Sequence, residues 1–239
     1  MDFDFLGATF VQLLGGVPLL LQLAAFSIAA GAVLAILLAL MRLSGNAFAD
    51  VVARGYVFVF RGTPLLVQIF LIYYGLGQFP EIRESFAWRF LRQPYWCAML
   101  ALTLNTAAYS SEIIRSGILS VPFGQIEAAR ACGMARWIVF RRIIVPQGLR
   151  VALPAYGNEV ILMTRATALA SVITLMEVTG IASKIISETF RAIEVFICAG
   201  AIYLLINFAI SRGIALLERR LSPEIRDPPA PSGIPKLAR

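Results

Sequence analysis

The chain has 239 residues, of which 59% are hydrophobic and 15% are charged, and its mean hydropathy is +0.79. Soluble domains contain about 45–50% apolar and about 25% charged residues, so this composition is typical of an integral membrane protein. The sequence has no histidine, which excludes histidine metal sites and the commonest general base. Its three cysteines follow no metal-binding or disulfide spacing. The formal charge of +7 is explained by basic membrane-protein loops and gives no reason to expect nucleic-acid binding.

Five apolar segments are long enough to cross a bilayer, since a membrane-spanning helix needs about 20 residues. The sequence therefore predicts an all-α integral membrane protein with about five transmembrane helices. Pro64 lies inside the second of these segments and is expected to kink it. The predicted spans are residues 17–41, 57–78, 95–116, 151–176 and 194–217.

Three regions follow from these spans. Residues 1–16 are expected to form an N-terminal segment on the outer, periplasmic side, and residues 17–221 form the membrane domain. Residues 222–239 are rich in proline and poor in large apolar side chains, which predicts a disordered cytoplasmic tail.

The distribution of basic residues sets the orientation, because loops on the cytoplasmic side of membrane proteins carry an excess of Lys and Arg. With the N-terminus outside and the C-terminus inside, fifteen of the 21 Lys and Arg residues are cytoplasmic and five are external. We therefore predict a multi-pass protein of a bacterial inner membrane in that orientation. The cytoplasmic set is Arg42, Arg54, Arg61, Arg115, Arg130, Arg136, Arg141, Arg142, Arg150, Arg212, Arg219, Arg220, Arg226, Lys236 and Arg239.

Residues 122–146, PFGQIEAARACGMARWIVFRRIIVP, form a basic insert between the third and fourth spans. Residues 125–131 favour a helix, and Glu127 is expected in its first turn, where the helix dipole stabilises an anion. Gly133 is expected to end this helix with a positive φ. A second helix is predicted over residues 136–144, with Pro146 stopping it. Such an insert suits either a protein-docking surface or an amphipathic helix lying on anionic lipid.

The sequence resembles a known family in this insert and beyond it. Glu127-Ala128-Ala129, followed by Gly133 and then by Pro146, is similar to the EAA–Gly signature of bacterial ABC importer permeases. RGTPLLVQIFLIYYGLG, EIIRSGILSVPFGQIEAAR and LASVITLMEVTG resemble the polar amino acid branch of that family, whose members carry histidine, lysine, arginine, ornithine or octopine. The resemblance covers residues 14–217.

This resemblance implies a fold like that of type I ABC importer permeases. It implies that Glu127, Ala128, Ala129 and Gly133 form a coupling helix that docks into a separate ATPase subunit. The implied partners are two ATPase subunits, a second permease subunit as a homodimer or heterodimer, and a solute-binding protein outside. The chain has no GxxxxGK[ST] phosphate loop, so ATP and Mg²⁺ are expected to be used by the partner ATPases and no cofactor by this chain.

Polar residues within predicted spans are candidates for the substrate path, because burying them in a bilayer costs about 2.5–3.5 kcal/mol when they are charged. Glu159 is expected to face a water-filled path and Arg165 to contact a substrate carboxylate or pair across a dimer. For both, a structural ion pair or hydrogen bond with another span is the alternative. Glu112 is expected to pair with Arg115 or another loop arginine. The candidate path residues are Asn105, Tyr109, Glu159, Met163, Arg165 and Thr167.

The predicted function is that of a membrane-spanning subunit of an ATP-driven importer, working by alternating access. Its resemblance to the branch for basic amino acids and opines, together with Glu159, favours a cationic substrate, while glutamine and glutamate remain open. An ATP-independent secondary transporter or channel is the alternative, which an inverted repeat or an acidic ion-coupling cluster would favour. A membrane enzyme would need a clustered acid, base or metal site, which the sequence does not suggest.

Overall fold

The computed structural model describes residues 2–221, and its regular structure within this range is helical. Two of the helices are continued by π turns, at Leu71–Gly75 and Phe140–Ile144, and 3-10 turns cover Leu76–Gln78 and Thr167–Ile173. The helices are α1 (Phe3–Leu14), α2 (Val17–Leu43), α3 (Ala47–Gly62), α4 (Leu65–Phe70), α5 (Pro80–Glu84), α6 (Trp88–Leu91), α7 (Pro94–Leu119), α8 (Phe123–Ala131), α9 (Arg136–Val139), α10 (Val145–Ala166), α11 (Val178–Thr189) and α12 (Ala192–Leu221).

Helix α7 is the centre of the bundle and packs most extensively against α2 and α10. Small side chains let these helices approach closely, as is usual between helices in membranes. A Cβ on Gly31 of α2 would lie 2.3 Å from Cγ2 of Thr106, and a Cβ on Gly148 of α10 would lie 2.9 Å from the carbonyl oxygen of Gly117. The two crossings therefore depend on the absence of a side chain at Gly31 and Gly148.

The second predicted span is broken, and α3 meets the helix that begins at Leu65 at an angle of 104°. Thr63 has extended backbone (φ −116°, ψ 142°), which is the conformation that a following proline imposes. Pro64 then precedes the first residue of α4. The kink predicted from Pro64 is confirmed, and it is a sharp turn of the chain.

Two helices in residues 2–221 are long and apolar enough to cross a membrane, Phe3–Leu43 and Ala192–Leu221. Two bent pairs qualify when each is counted as one span: the α3–α4 pair, and Arg136–Ile173 with Val178–Thr189, which meet at 46°. Helix α7 is 26 residues long and contains the third predicted span. Its buried polar side chains lie at the centre of the bundle, surrounded by the other helices.

The segment before the first predicted span is helical in the structure. Helix α1 packs against α12 and α11, and Leu13 lies with Leu20 in a core cluster that includes residues of both helices. Asp2 caps α1 by accepting a hydrogen bond from the Phe5 N–H at 3.2 Å. The predicted disordered tail, residues 222–239, lies outside the described residues.

The prediction that Pro146 ends a helix was wrong. Pro146 is the second residue of α10, and the backbone passes from α9 through the π turn into α10 without a break. Proline fits the start of a helix because its missing N–H has no obligatory partner there. The wider π turn gives a proline ring the space that a regular helix denies it. The basic insert is therefore joined directly to the fourth predicted span.

Candidate functional site

The first half of the basic insert is α8, which ends in a glycine turn. Gly133 has a φ of +79°. Its N–H donates to the Arg130 carbonyl at 2.9 Å, and the Met134 N–H donates to the Ala129 carbonyl at 3.1 Å. These two bonds form a Schellman motif, in which a left-handed residue, usually glycine, satisfies the last helix carbonyls. The predicted role of Gly133 in ending this helix is confirmed.

The four residues predicted to dock a partner do not all face outward. Glu127 and Ala128 are exposed, as is Gly133, whereas Ala129 is 7% exposed and packs inward. Glu127 is the fifth residue of α8, so the prediction that it lies in the first turn was wrong. Its carboxylate lies closer to the middle of the helix, where the dipole of the N-terminus acts weakly. The outward face of α8 is therefore formed around Glu127 and Ala128.

A side-chain hydrogen bond joins α8 to α10. Gln147 Nε2 of α10 donates to Gln125 Oε1 of α8 at 2.7 Å. In the second half of the insert, the rings of Trp137 and Phe140 stack with centroids 5.9 Å apart, and Trp137 remains 65% exposed. A displacement of α8 would therefore be transmitted to α10 through a side-chain contact as well as through the backbone.

An ion-pair network joins the ends of α2, α3 and α7 on the same side of the bundle as α8. Arg42 of α2 pairs with Glu112 of α7 and, at 3.3 Å, with Asp50 of α3. Arg115 Nη2 lies 2.9 Å from Glu112 Oε2, and Arg54 pairs with Asp50 at 2.5 Å. The prediction that Glu112 pairs with Arg115 or another arginine is confirmed. The Arg42 and Glu112 side chains are only 15% and 20% exposed, and their pair connects α2 to α7.

Asn105 is buried at the bend between α3 and α4, where four residues form what we call the bend network: Phe60, Thr63, Gln68 and Asn105. Gln68 Nε2 lies within 3.1 Å of the carbonyl oxygens of Phe60 and Thr63, which have lost their helical donors. Asn105 Nδ2 donates to Gln68 Oε1 at 3.1 Å. Asn105 is only 7% exposed and holds the bend, rather than facing an open cavity within this chain.

Glu159 of α10 is also buried within the bundle. It is 7% exposed, and its Oε1 accepts a hydrogen bond from Thr106 Oγ1 of α7 at 2.9 Å. Met163, one turn on, is 2% exposed and belongs to a core cluster with Leu23 and Ile69. Thr167 is fully buried, and its hydroxyl donates to the Thr164 carbonyl at 2.8 Å. Within one chain, these three predicted path residues face other helices.

The two remaining path candidates are accessible. Arg165 is exposed in the last turn of α10 and takes part in none of the ion pairs found among residues 2–221. Tyr109 is half-buried, and the Arg61 guanidinium lies 5.0 Å from the centre of its ring. Glu159 and Arg165 therefore lie on different faces of α10, as the helical spacing predicts. The structure gathers Asn105, Glu159, Met163 and Thr167 inside and leaves Arg165 on the surface.

A buried carboxylate that sequence reasoning missed lies at the start of α11. Glu177 is fully buried, and it caps the helix by accepting from the Gly180 N–H at 2.9 Å. Its other oxygen accepts from the Tyr203 hydroxyl of α12 at 2.8 Å. Gln68 was missed in the same way. Both are single polar residues within apolar sequence, and that isolation is the signal that could have revealed them.

A charged cluster around Arg191 lies at the end of the bundle that contains the N-terminus. Its guanidinium pairs with Glu194 at 2.6 Å and with Asp2 at 3.3 Å, and it lies 3.9 Å from the centre of the Phe5 ring. The hydrogen bond from the Phe5 N–H, with the charge of Arg191, holds the pKa of Asp2 below its usual value. The cluster joins the N-terminus to the turn between α11 and α12.

Comparison with known sequences identifies the class of protein to which this helical bundle with an exposed α8 belongs. Residues 31–223 match the family described as binding-protein-dependent transport system inner membrane component. This match spans well over half of the chain, and the chain belongs to that family.

Three transport permeases are similar to this chain over most of its length. It is 63% identical over 229 residues to the octopine transport system permease protein of Rhizobium radiobacter, covering 95% of this chain and 94% of the relative. It is 54% identical over 227 residues to the nopaline transport system permease protein of Agrobacterium fabrum, covering 95% and 94%. The histidine/lysine/arginine/ornithine transport system permease protein of Salmonella typhimurium is 42% identical over 206 residues, covering 86% and 88%. All three relatives are named as transport permeases.

A solved structure of an amino acid ABC transporter with histidines matches 92% of this chain and 99% of its own chain, with a TM-score of 0.82 and 36% identity. A bacterial ABC transporter for alginate import matches with a TM-score of 0.71 at 18% identity, covering 92% and 84%, which shows the fold alone. The predicted fold class, an all-α membrane protein like the type I ABC importer permeases, is confirmed. The chain is a permease subunit of an ABC importer.

Proposed function

We propose that this permease carries opines or basic amino acids into a bacterial cell, driven by separate ATPase subunits that dock on α8. The observation that carries the proposal is the outward face of α8. It presents Glu127 and Ala128 between α7 and α10, and it is linked to α10 by the Gln125–Gln147 hydrogen bond of 2.7 Å. A surface so placed can pass movement from a motor into the spans.

The proposed assembly contains two ATPase subunits, a second permease subunit and a solute-binding protein on the outer side. ATP and Mg²⁺ are used by the ATPases, and the N-terminus lies outside with the C-terminus in the cytoplasm. ATP-driven closure draws the two copies of the insert together and opens the path outward, and hydrolysis resets it. The exposed arginines of the insert, Arg130, Arg136, Arg141 and Arg142, support a cytoplasmic position.

The opine and basic amino acid class is supported by the three transport permeases to which the chain is similar. Octopine, nopaline and arginine share a guanidinium group, which a buried carboxylate recognises well. Glu159 is the proposed carboxylate, bound to Thr106 while the path is closed and released toward the dimer axis when the spans separate. Arg165, exposed at the end of α10, is the proposed partner for the carboxylate of the substrate or for the second subunit.

The substrate assignment is tested by uptake into proteoliposomes containing the assembled transporter. Glu159→Gln should reduce uptake of octopine and arginine at least about tenfold while affecting glutamine less, because only the charged substrates lose a charge-assisted bond. Glu188→Gln, an exposed acid on α11, is the matched control and should change neither. Equal losses for arginine and glutamine would exclude a charge-recognition role for Glu159.

The docking assignment is tested at Gly133. Valine at a φ of +79° is strained by about 1–2 kcal/mol or more, so Gly133→Val should unwind the end of α8 and reduce co-purification of the ATPase. Gly124→Val is the control, because Gly124 lies within α8 with right-handed backbone and open space around it. Normal assembly and uptake in Gly133→Val would exclude the proposed docking role. ATP-independent uptake by the chain alone would favour a secondary transporter instead.

A further inference from the structure

An apolar groove runs along the outer surface of α2, α7 and α10 and opens beside α8. It consists of three cavities that share walls. The innermost, of about 180 Å³, and the middle one, of about 300 Å³, are both lined by Ile36, Ile114 and Leu149. The middle cavity shares Leu40, Ile118 and Phe140 with a mouth of about 920 Å³. The three cavities therefore lie next to one another along the same surface.

The groove changes chemistry along its length. The inner and middle cavities are lined almost wholly by aliphatic side chains, with Tyr156 at the far end. The mouth adds Ser44, Ser120 and the Arg130 side chain of α8. Arg130 takes part in none of the ion pairs found among residues 2–221. An apolar channel that ends at a basic, hydroxyl-bearing mouth matches a molecule with a long hydrocarbon part and an anionic head.

The groove has the length of one bilayer leaflet. Along α2 it extends from Ala32 to Leu43, which is about 17 Å at a rise of 1.5 Å per residue. Half of the hydrocarbon core of a bilayer is about 15 Å thick. The walls are open to the surroundings, since Ile36, Leu40 and Leu149 are each about half exposed. An acyl chain lying in this groove would place its headgroup at the level of Arg130.

We propose that this groove binds one acyl chain of an anionic phospholipid of the cytoplasmic leaflet, with its phosphate held by Arg130 of α8. The leaflet assignment rests on the orientation given under the proposed function. The bound lipid then touches α2, α7, α10 and α8 together, so it stabilises the position of α8 relative to the spans.

The test is lipid retention by the assembled transporter in detergent, counted by native mass spectrometry after addition of phosphatidylglycerol or phosphatidylcholine. The wild type should retain phosphatidylglycerol in preference to phosphatidylcholine. Arg130→Gln should lower that preference about fivefold, the factor expected for one basic side chain at an anionic surface. Arg136→Gln, outside the groove, is the matched control and should retain the wild-type preference for phosphatidylglycerol. An equal drop in both variants would show nonspecific surface charge and overturn the proposal.

A second pair of variants tests the acyl-chain part. Leu149→Trp should fill the groove and reduce retention of both lipids, whereas Val151→Trp, equally exposed on the same helix but not lining the groove, should not. Equal retention in the two tryptophan variants would overturn the proposal. So would a cross-link from Leu149→Cys to another subunit, since a protein would then cover the groove. The assay uses neither ATP nor transport substrate, so its outcome is separate from that of the uptake experiments.

Discussion

Replacing Gln68 by leucine tests the assignment of the bend network. The change removes three donor contacts, to the Phe60 carbonyl at 2.9 Å, the Thr63 carbonyl at 3.1 Å and the Thr63 hydroxyl at 2.9 Å. It also removes the acceptor of the Asn105 amide at 3.1 Å. The Thr63 hydroxyl keeps its own bond to the Val59 carbonyl, so the lasting cost falls on the two backbone carbonyls and on Asn105.

The magnitude follows from these lost partners. Hydrogen bonds between helices in membranes average about 0.6 kcal/mol each, and a buried polar group left without a partner costs about 1–3 kcal/mol. Since Asn105 Nδ2 still reaches the Phe60 carbonyl at 3.4 Å, one carbonyl stays partly satisfied. We therefore expect Gln68→Leu to lower the free energy of unfolding by about 2–4 kcal/mol.

The assay is reversible unfolding in mixed micelles, titrated with a denaturing detergent. Gln78→Leu is the matched control, because Gln78 is exposed and makes one bond of 3.4 Å to the Tyr74 carbonyl. It should change the free energy by less than about 0.5 kcal/mol. The double variant of Gln68 and Asn105 should cost less than the sum of the single variants, since the two amides share a bond. A Gln68→Leu protein as stable as the Gln78→Leu protein would refute the network.

Three further predictions concern other contacts. Gly148→Ala should destabilise the protein by about 1–3 kcal/mol, because the new Cβ meets the Gly117 backbone. The control Gly200→Ala, in open space on α12, should stabilise it by up to about 1 kcal/mol. Equal effects of the two variants in the same unfolding assay would contradict the close crossing of α7 and α10. Glu177→Ala should lower the free energy of unfolding by about 1–3 kcal/mol, because α11 loses its cap and the Tyr203 hydroxyl loses its partner. Glu177→Gln should lower it less, because glutamine can still accept from the Gly180 N–H. A larger loss in Glu177→Gln than in Glu177→Ala would exclude the capping role. The pKa of Asp2 is lower in the folded protein than in the unfolded chain, where it is about 3.9. The stability that ionised Asp2 gives the folded protein is therefore complete above the unfolded pKa and is lost as the pH falls through the lower folded pKa. Asp2→Asn keeps the cap but not the charge. The protection of the α1 amides from hydrogen exchange, relative to the unfolded chain, should therefore change less between about pH 5 and 2 in this variant than in wild type. An unchanged pH dependence of protection would exclude Asp2 as its source.

The sequence was sufficient for features that depend on local chemistry. Pro64 predicted a kink in the second span, because proline removes a helical hydrogen bond and restricts the residue before it. Gly133 predicted the end of α8, because a left-handed turn favours glycine. The paired charge of Glu112 followed from its position near basic residues at the end of an apolar segment.

Features that depend on neighbouring helices could not be read from the sequence. Asn105 was a candidate for the substrate path, and Glu159 was expected either to face a water-filled path or to bond with another span. Within this chain they bond to Gln68 and to Thr106. The sequence does not show which face of a span meets which neighbour, so it could not choose between these alternatives. Ala129 belongs to the same motif as Ala128 but packs inward, because successive helical residues point about 100° apart. Pro146 was expected to end a helix, and the π turn before it gives the proline the room to begin one instead.

Cross-linking from α8 in the assembled transporter tests the central claim, that an ATPase docks on this helix. A photoreactive residue at Ala128 should form an adduct with the ATPase subunit. The same residue at Ser187, exposed on α11 near the Arg191 cluster, should form none, because the proposed orientation places that end on the outer side of the membrane. An ATPase adduct at Ser187 with none at Ala128 would contradict both the docking face and the orientation.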